Sequence, residues 1–382
     1  MMKQISKNGL VKNTLILIIG NMFIKILALL NRIILTRLLG NEGISLYMIT
    51  LPSVMLFISL GSLSLNIAVT KIVAQKRNAG IINKALKIAL ISSAIVSIIM
   101  LIIAKPLAYD WLKQPKIFYP IILAAPLILL SAINSVLRGY YNGIKKVNIT
   151  TTSILIEQIF RIALAAVMIY IFIDKGIVIA VSISIVAMSF GEIASIVYTS
   201  LMLRKYKQEK KNDCTYKEIL DAALPITATR LFGNVTYFLE PIIFTLSLTI
   251  LNYDSNNILY LYSETTAYSI PLITMFSFIS YALASAIIPY VASADKKQIA
   301  NYISKSIFYS LLTAIPITII LIIYAKQFMY LIYNTTIGSE NVTKYCIFFI
   351  FYYIMRFNTS IFSNYDIIFI FYYIQAPLVS IM

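Results

Sequence analysis

The chain has no histidine, only two cysteines and one tryptophan, and only 12% of its 382 residues are charged. Each scarcity closes off a kind of chemistry. Without imidazole there is no side chain whose ordinary titration lies near neutrality for general base work, and the commonest metal ligand is missing. Cys214 and Cys346 lie far apart in the sequence, so neither a zinc site nor a disulfide framework is credible. No glycine-rich phosphate loop and no extramembrane domain large enough to hold an active site can be found. The expectation is a protein that is not an enzyme and carries no metal or cofactor.

What the chain has in abundance is apolar surface. Hydrophobic residues make up 60% of it, and the mean hydropathy is +0.85, far too apolar for a soluble domain. An all-α, polytopic membrane protein follows. The net charge of +17 would suggest nucleic acid in a soluble protein, but here the basic residues cluster in short loops between apolar runs. Lys3, Lys7 and Lys12 precede an apolar run too long for a signal-peptide core and lacking a small-residue cleavage site, so the first run is expected to stay in the membrane.

Runs of spanning length are read at 12–34, 44–73, 85–104, 120–141, 150–173, 176–202, 219–248, 264–292, 303–325 and 342–375, about ten crossings. Alternate loops are basic, through Lys71, Lys76, Arg77, Lys84 and Lys87, then Arg138, Lys145 and Lys146, then 204–217, then Lys296, Lys297 and Lys305. The opposite loops are sparsely charged, so the positive-inside rule puts the N-terminus in the cytoplasm. The longest polar connector, 204–217, is a basic cytoplasmic linker that separates an N-terminal six-helix bundle, 1–203, from a C-terminal bundle, 218–382.

The first run is the informative one. Asn21, Lys25 and Arg32 fall at helical spacing on one face of an otherwise apolar rod. A Lys or Arg near the centre of a span costs about 2.5–3.5 kcal/mol on the insertion scale, so these charges must face protein or water. Such a stripe suits the wall of an aqueous cavity, although Arg32 also suits an end-of-helix anchor. A connector with two glycines, Ile33–Tyr47, leads to the second run. The seventh run repeats the pattern: Arg230, Asn234 and Tyr237 share a face, with Glu240 nearby and Pro225 able to kink the helix. In the fifth run Glu157 and Arg161 are spaced to pair along the helix, as a structural ion pair or with Arg161 still offering donors to an anion. Asn134 and Arg138 are expected near the cytoplasmic end of their span, where snorkelling accounts for the charge. Glu192 is isolated beside Gly191 and is open to three readings: a proton site, a cation site, or a partner for a neighbouring arginine.

Two segments carry a resemblance. Asn31–Met48, N-R-I-I-L-T-R-L-L-G-N-E-G-I-S-L-Y-M, resembles the junction of the first two helices in the stage V sporulation protein B family, and Glu157–Ile162, E-Q-I-F-R-I, resembles that family's fifth-helix motif. These are polysaccharide-type flippases, in the superfamily of the multidrug and toxic compound extruders and the lipid II flippases. The resemblance implies a two-bundle architecture, with a lipid-linked sugar pyrophosphate and membrane lipids as partners and a role in making spore cortex peptidoglycan. Against family members, the second half of this chain looks incomplete and C-terminally truncated. Phe349–Ile354 recurs as Phe369–Ile374, and the chain stops in what resembles the middle of a helix.

Taken together, Lys25, Arg32, Arg161, Arg230, Asn21 and Asn234 form the expected cationic substrate cavity. Glu157, Glu192 and Glu240 are the candidates for ion pairing or coupling. Guanidinium groups suit a multiply anionic ligand such as an undecaprenyl pyrophosphoryl sugar, flipped by alternating access. The alternatives are a cation-coupled multidrug extruder of the same fold, which would want carboxylates and aromatics facing the cavity, and an inactive truncated membrane protein.

Overall fold

The computed structural model describes residues 7–76, 80–206, 214–276 and 296–362. Among these residues the elements are all helices: α1 (Lys7–Ser62), α2 (Leu65–Lys76), α3 (Ile81–Pro106), α4 (Phe118–Leu123), α5 (Ala125–Gly143), α6 (Val147–Phe172), α7 (Ile177–Tyr206), α8 (Tyr216–Ile250), α9 (Ser255–Ser263), α10 (Ile270–Met275), α11 (Lys296–Ile323), α12 (Ala325–Tyr333) and α13 (Ser339–Phe362). Among the described residues, six helical stretches are long and apolar enough to cross a membrane, seven if the pair Leu311–Ile323 and Ala325–Tyr333, bent by 83°, is one span. A lipid environment explains the uniformity, because backbone groups in hydrocarbon must be satisfied within their own helix.

The first stretch, Met22–Gln75, is 54 residues long. Unbroken, it would reach ~80 Å, more than twice the hydrocarbon thickness of a bilayer. Gly40 divides it, with φ 63° and ψ −172°, a conformation that glycine adopts without a Cβ penalty. The expected glycine connector is therefore a single-residue break between two span-length helices. A second break separates α1 from α2 at Leu63 and Ser64, both left-handed at φ 46° and 48°. The apolar run 44–73 gave no hint of it. Side chains satisfy the exposed backbone there: Ser92 Oγ donates to the Gly61 carbonyl at 2.7 Å, and the Asn66 N–H donates to Ser135 Oγ at 2.9 Å.

The chain divides into two compact units, Met1–Tyr260 and Leu261–Met382. In the first, α2, α3, α5 and the start of α8 enclose a core around Tyr140 and Tyr141, with ring centroids 5.6 Å apart. Tyr141 resolves its own polarity by donating its hydroxyl to the Thr199 carbonyl at 2.6 Å. Thr215 starts α8 by accepting from the Glu218 N–H at 3.2 Å, and Lys84 Nζ ties the preceding Cys214 carbonyl to α3 at 2.8 Å.

In the second unit, Tyr268 packs edge-on to Tyr333 at 5.5 Å, and Ser269 Oγ donates to the Gly338 carbonyl at 2.9 Å. Of the run 264–292, residues 264–276 are described and carry a π-helical turn at Glu264–Ser269 followed by α10. The second copy of the repeated segment, Phe369–Ile374, lies outside the described residues.

Candidate functional site

Three helices of the first unit bring their polar residues to one place. Gly191 lets α7 approach α6 closely: a Cβ there would stand 2.8 Å from the Glu157 carbonyl oxygen and 3.3 Å from Arg161 Cβ. Close backbone approach at small residues is how helices gain packing in a bilayer, where lipid tails offer no hydrophobic drive for association. At this crossing the Glu157 carboxylate meets two guanidinium groups. Arg138 Nη2 of α5 donates to Glu157 Oε2 at 2.7 Å, and Arg161 Nη2 donates to Oε1 from the next turn of α6. The three side chains are 15%, 7% and 17% exposed for Arg138, Glu157 and Arg161, so little screening weakens the attraction.

The network continues toward α7. Arg138 Nε donates to Ser153 Oγ at 3.1 Å and Nη2 to Ser195 Oγ at 2.9 Å. Ser195 Oγ donates to Asn134 Oδ1 at 3.1 Å, and Asn134 Nδ2 donates to Glu192 Oε2 at 2.5 Å. A chain of hydrogen bonds thus runs from Arg161 through Glu157, Arg138, Ser195 and Asn134 to Glu192. Buried polar networks of this kind are stable only when their members are satisfied. Arg161 Nε is the exception, buried and without a partner.

The pairing of Glu157 with Arg161 is as the sequence indicated. Arg138 and Asn134 are a correction. Arg138 does not snorkel to an interface; it is held among α6 and α7 by a carboxylate and two hydroxyls, because Glu157 and the serines face it across the helix crossing. Its partners sit on other helices, so spacing within its own helix carried no sign of them. The four-residue offset from Asn134 to Arg138 on α5 was the available signal: two polar residues one turn apart mark a buried polar face. Glu192 is likewise not isolated, since Asn134 holds it.

Tyr47 donates to Met188 Sδ at 3.7 Å, tying α1 to α7. Asn234 Nδ2 donates to Ser59 Oγ at 2.6 Å, so the polar face of α8 turns toward α1. Lys25 and Glu240 are half-buried, and Lys25 and Arg32 are both engaged in contacts. Arg230 is exposed at the surface of the unit, one turn from Asn234. The side chain of Asn21 lies outside the described ones.

Residues 10–291 match the family described as polysaccharide biosynthesis protein. Stage V sporulation protein B of Bacillus subtilis is 30% identical over 369 residues, which are 91% of this chain and 71% of that protein. Among solved structures, a lipid II flippase MurJ in an inward closed conformation aligns with a TM-score of 0.66 at 15% identity, over 90% of this chain and 75% of that one. An inward-facing multidrug resistance MATE family transporter of the MOP superfamily aligns at 0.60 and 15% identity, over 89% of this chain and 80% of that one. The fold is therefore the MATE-like helical architecture that the Asn31–Met48 and Glu157–Ile162 motifs implied, in a multi-pass membrane protein.

Proposed function

The chain belongs to the polysaccharide biosynthesis protein family, and on that premise we propose that it is a flippase-type transporter for a lipid-linked, pyrophosphate-bearing sugar precursor. The substrate is an undecaprenyl-pyrophosphate-linked cell-wall or polysaccharide unit, moved across the cytoplasmic membrane by alternating access. A role in spore cortex peptidoglycan is the most specific form of this function, supported by the sporulation relative at 30% identity.

The observation that carries the proposal is Arg161 at the α6–α7 crossing, bonded through one nitrogen to Glu157 with its Nε buried and unpartnered, and Arg32 of α1 is the second proposed cation. Both guanidinium groups belong to membrane-spanning helices, where a cation is expensive unless it serves a polar ligand or a buried partner. Arg161 shares its carboxylate with Arg138, so Glu157 alone does not balance both cations. A diphosphate offers the oxygens such groups bind in planar, two-pronged fashion. Lys25, Arg230, Asn21 and Asn234 complete the proposed substrate surface, while Glu157, Glu192 and Glu240 serve in ion pairing or coupling. The N-terminus is cytoplasmic in this scheme, and 204–217 links an N-terminal bundle, 1–203, to the helices of 218–382.

The test is complementation of a flippase-deficient strain with membrane insertion measured in parallel. Arg32→Ala with Arg161→Ala should insert and fail to complement, and Arg32→Lys should rescue in part, because a point charge lacks the planar fork. Full complementation by the double alanine variant would refute the assignment.

A further inference from the structure

An arginine beside a lone carboxylate favours two parallel hydrogen bonds, fork to fork. Glu157 divides its oxygens between two arginines: Arg138 Nη2 bonds Oε2 at 2.7 Å and competes with Arg161 for it, while Arg161 Nη2 bonds Oε1. Arg138 is itself fixed: Ser153 accepts from its Nε at 3.1 Å and Ser195 from its Nη2 at 2.9 Å. Gly191 holds α7, which carries Ser195, hard against the Glu157 backbone. Glu192, the other carboxylate on this face, is taken by Asn134 at 2.5 Å. Arg161 is left bonded to one oxygen, with Nε buried and unpartnered. A buried donor without an acceptor is costly, the more so on a charged group, and an oxyanion accepting from it would remove that cost.

We infer that Arg138 is a positioning residue: by holding one oxygen of Glu157 it keeps Arg161 half-paired, so that Arg161 presents its remaining donors to a phosphate-class anion. The inference rests on the anionic-substrate reading above and assigns within it the residue that sets the strength of the site. Arg138 touches no substrate. It acts through Glu157, and the sign of its interaction with Glu157 is what distinguishes positioning from simple support of the helix crossing.

The experiment measures inorganic pyrophosphate binding to the purified full chain in lipid nanodiscs, with thermal unfolding as a check on folding. Arg138→Gln frees Glu157 to engage Arg161 with both oxygens, and pyrophosphate affinity should fall by about tenfold. Glu157→Gln alone should raise affinity. The double variant Arg138→Gln with Glu157→Gln should bind at least as tightly as the native chain, because the competing carboxylate is gone. A merely structural Arg138 would leave the double variant as weak as Arg138→Gln, which would overturn the inference, as would unchanged binding in a folded Arg138→Gln.

If Arg138→Gln does not fold, Arg138→Lys and Glu157→Gln take its place. Arg138→Lys should bind nearly as the native chain, and a Glu157→Gln variant with unaltered affinity would overturn the inference. The control is Arg161→Gln. Pyrophosphate binding that survives Arg161→Gln, or is absent from the native chain, sinks the anion site at Arg161 and the inference with it. Binding abolished by Arg161→Gln but indifferent to Arg138→Gln sinks only the role of Arg138.

Discussion

Arg138 and Glu157 lie nineteen residues apart on successive helices and meet at 2.7 Å inside the first unit, with Arg161 on the other carboxylate oxygen. One carboxylate between two guanidinium groups makes Glu157 the member whose loss is felt most. Glu157→Ala leaves two buried cations without their counter-charge, and breaking a buried pair in this way costs about 3–5 kcal/mol. Thermal unfolding in detergent should show a large drop for Glu157→Ala and a smaller one for the triple variant Arg138→Met, Glu157→Met, Arg161→Met, which removes the charges together. A triple variant less stable than Glu157→Ala would show that the network stabilises by more than charge compensation.

Gly191 gives a second, steric test of the same crossing. A methyl group there would meet the Glu157 carbonyl oxygen at 2.8 Å, a backbone atom that cannot swing aside. Gly191→Ala should therefore force α6 and α7 apart and destabilise by about 1–3 kcal/mol, as overpacking does. Gly233 on α8 is the control, since nothing lies within 4 Å of a Cβ built on it. Gly233→Ala should be neutral or slightly stabilising, given alanine's better helix propensity. Equal losses at both positions would mean that the effect is not one of packing.

The two tests mark where the sequence was legible. Glu157 and Arg161 sit on one helix at a spacing that fixes their contact whatever the tertiary arrangement, and the motif around them matched a family pattern. Long apolar runs bounded by basic loops read directly as spans because lipid leaves the backbone few alternatives. Arg138 could not be placed, since its partners Ser153, Glu157 and Ser195 come from two other helices. The break at Leu63–Ser64 escaped because neither residue is Gly or Pro, and the serines that stabilise it lie on α3 and α5. In both places long-range partners decide the local state, and periodicity records only local preference.

Orientation follows from the charge asymmetry of alternate loops. Lys145 and Lys146 between α5 and α6 are exposed, as is Asp174 between α6 and α7. Cys214 and Cys346 are both buried and make poor reporters. In a cysteine-free background, Asp174→Cys should react with an impermeant maleimide in intact cells, and Lys145→Cys should react only after permeabilisation. The reverse pattern would invert the topology.

The break between α1 and α2 makes the most exacting prediction. Leu63 and Ser64 hold left-handed conformations at φ 46° and 48°, which cost roughly 1–2 kcal/mol per residue for side chains with a Cβ. The break also removes the helical partners of the Gly61 carbonyl and the Asn66 N–H, groups that lipid cannot satisfy. Ser92 and Ser135 take their place at 2.7 and 2.9 Å. Ser135→Ala should orphan the Asn66 N–H and lower stability by about 1–3 kcal/mol. Leu63→Gly relieves the Cβ strain while keeping the break, although it forfeits the leucine's packing. Amide hydrogen exchange at Asn66 separates the two effects. Ser135→Ala should speed exchange there and leave the middle of α6 unchanged, whereas Leu63→Gly should leave Asn66 protected. If Asn66 stays as protected in Ser135→Ala as in the native chain, the hydroxyl is not what holds the broken span together, and the N–H must find its acceptor within the helix.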